Sequence, residues 1–218
     1  MNQNSRSIVS FTMVSHAIVH TYELSIPILV VIWLSEFSIT TAAIGTVVAV
    51  GYALFGVGAL PSGVLADRYS TKRLVLVGLA GMGASFLLLS LAPGTATIAL
   101  ALALWGAFAS IHHPASLSLI STGVDESGTG FAYHGMAGNL GIAFGPFLTA
   151  SLLVAFDWRV VPASLALPPP RAVPAALPAD FHQLAARDGH HPATHGRTPP
   201  HSHGPQPRVP GFPLPATP

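Results

Sequence analysis

His16, His20, Glu23 and Pro27 recur at i, i+4, i+7 and i+11 in the string HAIVHTYELSIP. On an α-helix, at about 100° per residue, they fall within an arc of about 60°. A carboxyl beside two imidazoles, on one face of a run of apolar residues, can hold and pass on a proton or touch a polar solute. A carboxylate at the middle of a membrane costs about 2.5–3.5 kcal/mol on insertion scales, so its presence demands a task or a partner. The plainer task is structural, with Glu23 pairing to a histidine or a backbone group to hold helices together.

Other candidates for the same chemistry are His112 and His113, next to Pro114, and His134, followed by Asn139. His112 and His113 also suit a polar cap at a helix end. His134 and Asn139 lie about 140° apart on a helix. Only His134 shares the face of Gly138, Gly141 and Gly145, so His134 and Asn139 do not line one narrow pocket. His16 and His20 have the i, i+4 spacing of a zinc pair. His190, His191, His195, His201 and His203 could scavenge the same ion. No matched carboxylate spacing or ordered scaffold accompanies the tail histidines, and no metal and no cofactor are expected.

The elements that position these residues follow from composition. Only 8% of the 218 residues are charged and 50% are hydrophobic, against about 25% charged in an ordinary soluble domain. With no cysteine there is no disulfide framework, thiolate zinc site or Cys nucleophile. A net charge of +1 without basic blocks gives no footprint for nucleic acid. Five apolar stretches, roughly 8–35, 42–65, 73–91, 96–119 and 129–156, each reach the ~20 residues that cross ~30 Å of hydrocarbon. In lipid the backbone must satisfy its own hydrogen bonds, so these are helices. The first stretch is too long for a cleaved signal peptide and lacks its small-residue exit. With the N-terminus inside, Arg6, Arg68, Lys72 and Arg73 all fall on the cytoplasmic side and only Arg159 falls outside. Positive-inside bias therefore predicts a multi-pass protein of the cell membrane with a cytoplasmic N-terminus.

Between the second and third helices the chain reads GVLADRYSTKR over 63–73. Gly63 permits a close helix crossing, while Arg68, Lys72 and Arg73 hold the loop at the anionic leaflet. The string resembles the signature loop G-x-L-A-D-R-x-G-R-K of the major facilitator superfamily, at the same place between helices. Ser70 stands where that family has Gly, and Thr71 where it has a base. The resemblance implies that Gly63, Asp67 and Arg68 gate the inner face. In the fifth helix, GNLGIAFGP over 138–146 resembles the superfamily's exporter-associated G-x-x-x-G-P element, with Thr149-Ala150 in place of its closing Gly-Gly. Gly138, Gly141 and Gly145 form a small-residue stripe that admits a close neighbour, and Pro146 is expected to kink the helix. IHHPAS over 111–116 and YHGMAGNLGIAFGP over 133–146 further resemble the fosmidomycin-resistance group of drug exporters. These likenesses span about Ser15–Arg159.

What the resemblance implies is an all-α membrane fold. Residues 1–160 would supply five transmembrane helices and an incipient sixth of a major-facilitator bundle. It also implies proton-coupled export of a small organic or drug-like solute, driven by the proton gradient without a cofactor. The partners would be the lipid bilayer, the solute, protons and a second transporter half. Trp158-Arg159 looks like the opening of the sixth helix, but only Val160–Leu167 follow before Pro168-Pro169-Pro170. Residues 161–218 hold fifteen of the 20 prolines and six of the eleven histidines, and lack Ile, Lys, Glu, Asn, Tyr, Met and Trp. That composition predicts a disordered tail and fits a GC-rich gene read out of frame, leaving a half-transporter inactive alone. Other readings are an uptake permease of the same superfamily, a membrane-anchored partner- or metal-binding protein using the tail histidines, and an intramembrane hydrolase. The hydrolase lacks a nucleophile or metal constellation.

Overall fold

Five of the six helices are long and apolar enough to span a bilayer, in a computed structural model that describes residues 1–166. They are α1 (Gln3–Glu36), α2 (Thr41–Arg68), α3 (Thr71–Ser90), α4 (Thr95–Gly123), α5 (Ser127–Ala155) and the short α6 (Val160–Ala166). No strand occurs among the described residues. The expected all-α membrane fold is thus present, and the described residues include the sixth helix from Val160 to Ala166. The break in composition falls inside α6, where Val161 is fully buried and Ala166 nearly so. The remainder of the expected tail, 167–218, lies outside the described residues.

Local sequence sets the helix ends. α1 begins five residues before the apolar run because the Asn2 side chain accepts the Ser5 backbone N–H at 2.8 Å, satisfying one orphan donor of the first turn. Thr40 caps α2 in the same way through Ala43 N–H, at 3.2 Å. Exposed apolar side chains such as Leu60, Phe147 and Val154 coat the outside. Such a surface suits lipid or a protein partner rather than water.

Connections are short, so successive helices run in opposite directions. Two parallel pairs result. α5 lies along α1, advancing in register from His134 beside Thr12 to Gly145 beside Thr21. α4 lies along α2, from Leu102 beside Gly51 to Ser110 beside Gly58. α3 packs antiparallel on α4, with Gly78 and Gly81 against Phe108. The glycine stripe of α5 does admit a close neighbour, and that neighbour is α1. A Cβ on Gly141 would overlap the Ala17 carbonyl, and one on Gly138 would come within 2.5 Å of the His16 ring.

Gly63 differs from expectation. A Cβ there would meet nothing within 4 Å, while its neighbour Ser62 is the residue that turns to α4, meeting the Ser110 hydroxyl at 3.3 Å. The close α2–α4 crossing is made instead by Gly51 and Gly106, where a Cβ on Gly106 would overlap the Gly51 carbonyl oxygen. Pro146 lies within α5, which continues to Ala155.

The ends of the bundle are pinned by polar contacts. At one end, the Met1 amine meets the Glu126 carboxylate at 2.6 Å and Asn2 donates to Asp125 at 2.5 Å. At the other, Arg159 donates to Glu36 at 3.1 Å and stacks over Trp158, which packs edge-on to Trp33 and Phe37. These exposed pairs position chain ends more than they stabilise them.

Two glycines of α2 and α4 test this packing. Gly106→Ala, facing unyielding backbone, should cost about 1–3 kcal/mol and lower the detergent-solubilised melting temperature. Gly56→Ala, which faces open space, should be neutral or raise stability by up to about 1 kcal/mol. The Met1 amine holds the Glu126 carboxyl below its usual value of 4.5. Its contribution is therefore present above that value and lost as pH falls through the lowered one. The melting-temperature difference between wild type and Glu126→Gln should be visible at pH 7 and close on acidification below about pH 4.5, the usual carboxyl value.

Candidate functional site

Five histidines and Glu23 meet where α1, α4 and α5 adjoin. His16 stands at the centre. Its ring stacks on His134 with centroids 3.8 Å apart and planes 5° from parallel. Its Nδ1 lies 2.8 Å from the His134 backbone oxygen. A carbonyl only accepts, so Nδ1 carries the hydrogen and, in the neutral ring, Nε2 presents a lone pair. That Nε2 lies 2.9 Å from His20 Nε2 and 3.2 Å from His113 Nε2. His20 Nδ1 in turn lies 2.6 Å from a Glu23 carboxylate oxygen.

Hydrogen counting fixes what this line can hold. With Glu23 ionised and His20 Nδ1 donating to it, a neutral His20 would set two bare lone pairs against each other at 2.9 Å. One extra proton resolves the conflict. It either makes His20 an imidazolium between Glu23 and His16, or sits on Glu23 while His20 donates from Nε2. The two arrangements differ by proton shifts along existing hydrogen bonds. The chain Glu23–His20–His16 is therefore a hydrogen-bonded wire with room for one extra proton. Side-chain exposures of 18% for Glu23 and 16% for His20 leave one end of the wire open. His16, His112 and His134 are buried.

Two histidines are fixed by groups that sequence reasoning passed over. His134 Nδ1 donates to the Thr12 carbonyl at 3.2 Å. The Ser15 hydroxyl gives its hydrogen to Thr12 at 3.0 Å, so it accepts from His112 Nε2 at 2.9 Å. The far nitrogens, His134 Nε2 and His112 Nδ1, have no protein partner, and nor does His113 Nδ1. The Tyr52 hydroxyl donates to the Glu23 backbone oxygen at 3.0 Å, tying α2 to the site. Tyr52 had one legible signal, a hydroxyl in the middle of an apolar helix; Ser15 and Thr12 had none.

The sequence-predicted residues thus divide. Glu23, His16, His20, His112, His113 and His134 come together. Asn139 is exposed on the other side of α5, as the angular separation required. Gly138, Gly141 and Gly145 build the α1 contact that brings His134 to His16. Asp67, Arg68 and Arg73 are exposed, and Lys72 half-buried, at the α2–α3 turn. This turn lies at the end of the bundle that carries the N-terminus, away from the histidines.

Five membrane-length apolar helices enclosing a polar cluster define a multi-pass integral membrane protein. The chain belongs to the Major Facilitator Superfamily, whose profile matches residues 10–168. Over 108 residues it is 37% identical to the puromycin resistance protein pur8 of Streptomyces alboniger, a stretch covering 48% of this chain. The match spans only 22% of that relative's length.

Ser15→Ala tests the wiring. It leaves the fully buried His112 Nε2–H without an acceptor, at a cost of about 1–3 kcal/mol. Ser35→Ala, which removes an exposed bond within its own helix, should stay within about 0.5 kcal/mol of wild type by the same unfolding assay.

Proposed function

We propose that residues 1–166 form one wall of a secondary transporter that exports a small organic, drug-like solute in exchange for protons. The observation that carries this is the Glu23–His20–His16 wire, which has room for one extra proton and is open at its carboxylate end. A proton taken at Glu23 moves inward by hydrogen-bond rearrangement, and a cationic or hydrogen-bonding solute competes for the same carboxylate. The resistance role in the name of the Streptomyces relative supports an organic solute and the outward direction. So does the likeness of IHHPAS and YHGMAGNLGIAFGP to fosmidomycin-resistance exporters.

In this reading the protein sits in the cell membrane with its N-terminus cytoplasmic, on the side of Arg6, Arg68, Lys72 and Arg73. Asp67 and Arg68, exposed at the α2–α3 turn, face the inner gate. Alternating access needs two walls rocking about a shared midplane site. The six-helix unit alone therefore carries no flux, and a second half completes the path.

The test is transport by vesicles containing this chain joined to the second half of a superfamily relative, with puromycin as the first probe. Wild type should concentrate the solute against its gradient when a proton gradient is imposed. Glu23→Gln should lose that uphill movement by at least about tenfold, the effect of removing a proton-transfer group, yet keep solute exchange at zero gradient. Undiminished proton-driven flux in Glu23→Gln would assign Glu23 to helix pairing. Flux only in the opposite direction would favour an uptake permease.

A further inference from the structure

We infer that His16, His20 and His113 form a binding site for a first-row divalent cation of the Zn²⁺ class, at the junction of α1 and α4. This inference does not depend on the transport reading. Two histidines at i, i+4 on one helix are a zinc pair by spacing but too few ligands for a site; the fold adds a third from another helix. The three rings each offer one nitrogen, and these nitrogens lie within 4.8 Å of one another. His16 Nε2 is 2.9 Å from His20 Nε2 and 3.2 Å from His113 Nε2. A tetrahedral Zn²⁺ with bonds of about 2.0–2.1 Å holds its nitrogens about 3.3–3.4 Å apart. Two edges of the required triangle are thus formed to within about half an ångström, and small ring rotations open both.

The hydrogen balance favours a metal as directly as it favours a proton. His16 Nδ1–H is spent on the His134 carbonyl, and His20 Nδ1–H on the Glu23 carboxylate. Both rings are held in the tautomer that turns a bare Nε2 toward His113. A carboxylate or carbonyl behind a ligating imidazole is the usual outer shell of a metal site, orienting the ring and raising its basicity. Three neutral imidazoles with one carboxylate behind them would hold a dication at a local charge of +1, a small residual in an apolar setting. The donor set is all nitrogen, which selects zinc, nickel, cobalt or copper over magnesium and calcium. With three protein ligands, the fourth position of a tetrahedral ion is left for water or a solute atom, on the side where His20 and Glu23 are partly open.

The test uses the full chain in detergent, with the tail histidines His182, His190, His191, His195, His201 and His203 replaced by Asn to silence competing ligands. Co²⁺ is the probe, because four-coordinate cobalt has intense visible d–d bands and six-coordinate cobalt does not. We expect a band that saturates at one Co²⁺ per chain and is displaced by one equivalent of Zn²⁺. Glu23→Gln should keep the band and weaken binding by about 10–100-fold, as loss of an outer-shell partner does. His20→Ala and His113→Ala should each abolish it, with elution volume and helical circular dichroism unchanged. A folded, tail-silenced chain without the band would overturn the site. So would a band that survives both histidine substitutions.

Discussion

An imidazole N–H buried in a membrane bundle has no water to turn to, so the fold must supply its acceptor. His16 concentrates that constraint. One of its nitrogens is claimed by a carbonyl of α5, and the other faces histidines of α1 and α4. Three helices must therefore arrive in a single register for the ring to be satisfied. A slip of α5 by one residue along α1 would rotate the His134 carbonyl about 100° around its axis and strand Nδ1. The polar cluster is expensive wherever it is incomplete, and this makes it a specifier of the bundle's arrangement as well as a site.

Glycine makes that register reachable. Gly138, Gly141 and Gly145 bring the α5 backbone against Ala17, Thr21 and the His16 ring. Gly51 and Gly106 do the same for α2 and α4. Between helices in lipid, where apolar surface gains little by leaving one apolar medium for another, close backbone approach and interhelical hydrogen bonds carry the association. The small residues and the histidines thus act together: the first set the distance, and the second reward only one registration at that distance.

Much of this was legible. Twenty-residue apolar runs have few alternatives in a membrane, so the spans and their number could be read directly. The 60° arc of His16, His20, Glu23 and Pro27 belongs to one helix, and its geometry is local. What could not be read was which helices would be neighbours. His113 joins His16 only because α4 presents that side to α1, and no local pattern encodes the rotation of α4. Gly63 illustrates the converse. Its size permits a close crossing, yet only the facing helix decides whether one is made, and the crossing falls at Gly51 and Gly106. The α1 start was misplaced because apolar periodicity is silent on Asn2, whose cap adds a turn and a half of polar residues.

The parallel pairing of α1 with α5 has a consequence for biosynthesis. His16 and the residue whose carbonyl it needs are separated by 118 positions. At about 5–20 residues per second on the ribosome, α5 emerges roughly 6–24 s after α1. During that interval Glu23, His20 and His16 can already join one another along α1, before Tyr52 of α2 and then His113 of α4 reach them. A helix whose polar side chains can hydrogen-bond to one another resides in the bilayer at lower cost than one that leaves them bare. The first helix carries partners for its polar groups in its own sequence, and the fifth adds the carbonyl that the remaining His16 nitrogen needs.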